Sequence, residues 1–123
     1  MKAELSESEY LIMEYLWECP QGGTFNDIQD YLCKECGKDW KKQTINTFLS
    51  RMVDKGLVER NKNGKNCTYV SICDKDTYKQ LEARQYLNKY YDGSVGAFMS
   101  ALTGGAGLND EEYSELMNIL RGE

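Results

Sequence analysis

Residues 41–55 carry two opposed stripes at helical spacing. Ile45, Phe48, Leu49, Met52 and Val53 recur so that they line one side of an α-helix. Gln43, Asn46, Thr47, Ser50 and Arg51 fall at i, i+3, i+4, i+7 and i+8 and take the other side. Gly56 follows, a natural helix stop because glycine tolerates positive φ. Such a helix must bury its first stripe against other elements. Its second stripe, rich in hydrogen-bonding groups and nearly free of acid, is left for solvent or a ligand.

The neighbouring segments supply those elements. Ser6-Glu7-Ser8-Glu9 reads as a capping box, and Leu5, Ile12, Met13, Leu16 and Trp17 form a stripe that ends before Cys19-Pro20. Pro20-Gln21-Gly22-Gly23 breaks the chain. Thr24, with Asp27 three residues later, opens a second helix that presents Phe25, Ile28 and Leu32 and runs to about Glu35. Cys36-Gly37-Lys38-Asp39 is the turn into residues 41–55. Beyond that helix, Leu57 to Asn61 and Cys67 to Ile72 are strand-like runs joined through Asn63-Gly64, a dipeptide suited to a tight hairpin.

Three more helices are expected: one from Asp74 to Tyr91, a short one from Val95 to Leu102, and one capped by Asn109 with Glu112. Gly104-Gly105-Ala106-Gly107 connects the last two. The fold class is therefore mainly α with a small β-hairpin. Residues 1–73 are expected to form a winged helix-turn-helix domain and residues 74–123 a helical dimerisation region. The expected dimer anchors are Tyr78, Leu81, Leu87, Tyr91, Val95, Phe98, Met99, Leu102, Tyr113, Leu116, Met117 and Leu120. A core of three short helices cannot cover all of these, and a second copy can.

Net charge is −5, which taken alone speaks against nucleic acid, but the charge is unevenly placed. From Lys34 to Tyr69 there are nine Lys/Arg against four Asp/Glu, whereas the remainder holds six against sixteen. A basic segment that also carries a polar-faced helix suits a DNA-facing surface. In the major groove Gln and Asn pair with adenine, and Thr meets the thymine methyl. Lys41, Lys42, Gln43, Thr44, Asn46, Thr47, Ser50 and Arg51 are the candidate contacts on that helix. The hairpin segment 60–66 adds Arg60, Lys62 and Lys65 near the phosphate backbone.

The chain has no His, and no nucleophile–base grouping, Gly-rich phosphate loop or carboxylate metal motif, so an enzyme is not expected. Neither is a cofactor. Cysteines 19, 33, 36, 67 and 73 read as free thiols. Cys33-x-x-Cys36 leaves open a cysteine-based metal or redox sensor, although structural zinc wants four ligands. The acidic balance leaves open a winged helix that binds protein instead of DNA. The polar opening Met1-Lys2-Ala3-Glu4-Leu5 and the lack of a long apolar run point to a cytoplasmic protein with no direct membrane binding.

The chain resembles the penicillinase-repressor (BlaI/MecI-like) family across nearly its whole length. The matching residues are Leu5 to Glu9 with Ile12-Met13 and Leu16-Trp17; Lys38-Asp39-Trp40 with Thr44-Ile45, Thr47, Leu49, Ser50-Arg51 and Lys55-Gly56; and Leu108 through Leu120. The resemblance implies a homodimeric repressor on an inverted repeat of double-stranded operator DNA, with C-terminal helices for pairing. It implies base and phosphate contacts at Gln43, Thr44, Asn46, Thr47 and Arg51. The family commonly has Ser-Pro where Lys41-Lys42 stand, and a Lys and an Arg where Gln43 and Asn46 stand. Some members are inactivated when a membrane sensor triggers cleavage at an Asn-Phe bond; the matching positions here are Ser100-Ala101. Copper-responsive relatives carry a C-terminal cysteine cluster, whereas the last cysteine here is Cys73.

Overall fold

The computed structural model describes residues 1–122, with Asn63 by its backbone alone. In chain order the elements are α1 (Glu7–Glu18), β1 (Gly23–Thr24), α2 (Phe25–Lys34), α3 (Lys42–Asp54), β2 (Val58–Asn63), β3 (Asn66–Ser71), α4 (Lys75–Tyr91), α5 (Val95–Thr103) and α6 (Asp110–Arg121). The chain divides into two compact units, Met1–Glu82 and Ala83–Glu123, so the division falls inside α4. None of the described helices is long and apolar enough to cross a membrane.

The first unit is a winged helix. Ile12, Met13 and Leu16 of α1, Ile28 and Leu32 of α2, and Ile45, Leu49 and Met52 of α3 are all fully buried in one core. Leu57, Val58 and Tyr69 carry that core into the sheet. Local chemistry starts α1 and α2 where they do. Ser6 and Glu9 form a reciprocal capping box on α1, and Thr24 and Asp27 do the same on α2.

The sheet differs from the expected two-stranded hairpin by a third strand. Its order is β1-β3-β2, with Gly23 opposite Tyr69 and Thr24 opposite Thr68. Gly22 makes this entry possible. It sits at φ 92°, and a Cβ there would lie 2.6 Å from Val70 Cγ2 and 2.9 Å from the Tyr69 carbonyl oxygen. The hairpin turn also lies one residue later than the Asn63-Gly64 dipeptide suggested. Asn63 still pairs with Asn66, and the two loop residues are Gly64 and Lys65. Gly64 has φ 62°, the first-position glycine of a type II′ turn. In this register Val58, opposite Ser71, and Tyr69, opposite Arg60, lie on one face of the hairpin, and both are buried.

A further correction concerns α4. Tyr78, expected at a dimer face, is fully buried, and its hydroxyl donates to the Ala3 carbonyl at 2.8 Å. Its ring packs on Trp17 with centroids 5.1 Å apart, and Leu81 rests against the same core. These contacts move the unit boundary from the expected Cys73 to Glu82. In the second unit, Leu87 is also buried and so is not available to a partner.

Among the described residues of the first unit, one charged group is buried. Glu9 is 3% exposed and meets Lys55 Nζ at 3.0 Å, while Lys55 also donates to the Glu4 carbonyl at 2.6 Å. This ties the start of α1 to the end of α3. Burial works against the charged form of Glu9. The Ser6 amide, the Lys55 ammonium and the Ser6 hydroxyl outweigh it, holding the carboxyl below its ordinary value of 4.5. A depressed folded-state value means that the stabilisation is complete above the unfolded value and is lost as pH falls through the folded one. Glu9→Gln should therefore cost about 1–2 kcal/mol at pH 7. In paired urea titrations of the two proteins, that difference should stay constant above about pH 5 and shrink below 4.5.

Candidate nucleic-acid interface

The exposed side of α3 is the principal feature of the first unit. Its three buried residues leave Gln43, Thr44, Asn46, Thr47, Ser50 and Arg51 on the other side. The Thr47 hydroxyl donates to the Gln43 carbonyl at 3.0 Å, a bond inside the helix. Trp40 packs edge-on against Phe48, centroids 5.3 Å apart, and so anchors the turn that delivers the chain into α3.

The helix begins differently from its neighbours. Side chains of Ser6, Thr24, Asp74, Ser94 and Asn109 accept backbone N–H groups at the starts of α1, α2, α4, α5 and α6. At α3 the capping position is Lys41, with no side-chain hydrogen bond and no acid in the first turn. The α3 amide dipoles and the exposed Lys41 and Lys42 thus present positive charge together. The two lysines are evident in the sequence, but this contrast becomes visible only when the caps are compared.

The wing supplies the second half. Arg60, Lys62 and Lys65 are exposed along β2 and its turn. Arg60 does not extend freely: its guanidinium lies 5.4 Å from the Tyr69 ring centroid, and Nη2 donates to Ser50 Oγ of α3 at 3.4 Å. The sequence offers no sign of Tyr69 and Ser50 as partners of Arg60, since neither is near it in the chain.

In the second unit α5 and α6 contain no buried residue. Val95, Leu102, Tyr113 and Leu120 are largely exposed, joined by Tyr86, Tyr90 and Ile119, which lie outside the expected helical stripes. Tyr91, Phe98, Met99, Leu116 and Met117 are half-buried, with Tyr91 and Phe98 packed edge-on at 5.3 Å. The five cysteines are free thiols, and among the described residues no three His, Cys, Asp or Glu side chains group as metal ligands.

A three-helix unit with a wing and an outward-facing polar α3 defines a winged helix-turn-helix protein. The sequence matches the family described as Penicillinase repressor over residues 5–122, and the chain belongs to that family. It is similar to the methicillin resistance regulatory protein MecI of Staphylococcus aureus strain N315, with 28% identity covering 95% of this chain and 93% of that one. The penicillinase repressor of Bacillus licheniformis is 27% identical, covering 95% and 89% of the two chains. The first of these is named as a regulatory protein and the second as a repressor. The solution structure of the DNA-binding domain of the repressor BlaI covers 61% of this chain and 90% of its own, at a TM-score of 0.53 and 27% identity.

The two sides of α3 should separate in thermal unfolding. Leu49→Ala opens a cavity in the core and should cost about 2–5 kcal/mol. Asn46→Ala, on the open side, should change stability by less than about 0.5 kcal/mol. Equal costs would mean that α3 is held differently.

Proposed function

We propose that the protein represses transcription by binding an inverted-repeat operator as a homodimer, with α3 in the major groove and the wing beside the backbone. The observation that carries this reading is the exposed polar face of α3, beside a cation-bearing wing on a chain that is acidic overall. The names of its relatives, regulators and a repressor with a DNA-binding domain, support it. Gln43 and Asn46 have side-chain amides that can pair with adenine edges, while Thr44 and Thr47 can meet thymine methyls. Lys41, Lys42, Arg51, Lys62 and Lys65 suit phosphates, which fix register without reading sequence. The Gln and Asn stand where the family commonly has Lys and Arg, so the preferred bases should shift from guanine toward adenine.

The exposed apolar side chains of α5 and α6 support pairing with a second copy, because two such surfaces can bury each other. Sedimentation should give about twice the 14.1 kDa chain mass. Leu120→Asp should shift the protein to monomer, since Leu120 is 71% exposed and contributes little to its own chain's core.

Binding to a duplex from the region upstream of its own reading frame tests the DNA reading. Affinity should fall steeply as salt rises, because counterions are released wherever a cation meets a phosphate. Lys62→Ala should flatten the slope of log K against log salt by about 0.9 for each phosphate no longer neutralised. A dimer carries two wings, so the change should be roughly twice that value. A salt-independent signal, or capture of a protein with no duplex bound, would favour a protein-interaction module instead.

A further inference from the structure

We propose that Arg60 is a positioning residue that clamps the wing to α3, and not a phosphate contact; this rests on the operator-binding reading above. In the β2–β3 register Arg60 stands directly opposite Tyr69, so the two side chains share one face of the hairpin. On that face its guanidinium lies over the Tyr69 ring, 5.4 Å from the centroid, and reaches Ser50 Oγ at 3.4 Å. The three residues come from β2, β3 and α3, and each is held from a different direction. Tyr69 is 4% exposed and belongs to the core, so the ring is a fixed platform. Ser50 lies on the exposed side of α3, one turn beyond Asn46.

The clamp governs the outer half of the wing. Lys62 pairs with Cys67 two positions nearer the tip, on the same face as Arg60 and Tyr69. The turn then carries Lys65. A two-stranded ribbon projecting from its core pivots easily unless a side chain ties it to the body. With Arg60 seated, Lys62 and Lys65 stand at a fixed offset from Lys41, Lys42 and Arg51, so base-reading and phosphate-holding groups meet one duplex together. Only arginine meets both demands of the seat. Its flat fork stacks on an aromatic face while an edge N–H donates sideways, and a lysine ammonium, though equally charged, cannot do both at once in this geometry.

The test compares Arg60→Lys and Arg60→Ala in the full chain, with the same upstream duplex as probe. As a clamp, Arg60→Lys should weaken binding about tenfold, close to the loss in Arg60→Ala, and both variants should keep the wild-type salt slope. Ser50→Ala should weaken binding less, and adding it to Arg60→Ala should cause almost no further loss. Hydrogen exchange of the free protein gives an arm that needs no DNA. Amides of residues 60–67 should exchange several-fold faster in Arg60→Lys, at an unchanged melting temperature. The clamp is overturned if Arg60→Lys binds like wild type while Arg60→Ala flattens the salt slope. It is overturned equally if wing exchange is the same in wild type and Arg60→Lys. If wild type binds no duplex yet the exchange difference appears, the operator reading fails and the clamp survives.

Discussion

Ile45, Leu49 and Met52 hold α3 by one side. All three are fully buried, and burying a side chain of that size stabilises by about 1.5–3 kcal/mol relative to leaving it in water. Because they share one stripe, their burial fixes the rotation of α3 about its axis as well as its place in the unit. The outward direction of Gln43, Asn46 and Thr47 is thus a consequence of core packing and needs no contact of its own. The Glu9–Lys55 pair then anchors the far end of the helix, where a misplaced C-terminus would swing the N-terminal residues away from a groove.

Charge placement works with this geometry. The body of the chain is acidic, which lowers non-specific attraction to DNA, while the positive groups gather on α3, its uncapped start and the wing. The Ser-Pro common in the family would supply a capping hydroxyl and a preorganised first residue. Lys41 and Lys42 forgo that and bring two cations to the same place. The exchange sacrifices a little helix stability in return for electrostatic attraction at the end of α3 expected to approach the duplex.

Much of the fold is legible in the sequence because its signals are local. The capping boxes at Ser6, Thr24 and Asn109, the stripe on α3 and the stop at Gly56 each involve residues within one or two turns of one another. The features that sequence reasoning misses depend on distant partners. The two-residue β1 has no pattern of its own and exists only because β3 offers an edge. Tyr78 lies on a helical stripe that looks the same whether it faces a core or a second subunit, and the contact with Ala3 that decides between them spans most of the first unit. Buried Glu9 depends on Lys55, 46 residues away, which no spacing rule anticipates. The exposed face of α3 can be read from periodicity, whereas the Arg60–Tyr69–Ser50 arrangement needs the strand register.

Whether the polar side of α3 is the surface that meets DNA is tested most directly by the side-chain amide resonances of Gln43 and Asn46. They would be followed by NMR while the upstream duplex is titrated into the protein. With α3 in the groove, these signals shift strongly and saturate with the complex, while the side-chain amide of Asn118 in α6 stays in place. Unmoved Gln43 and Asn46 signals in a saturated complex would contradict this, because the duplex would then be held by some other face.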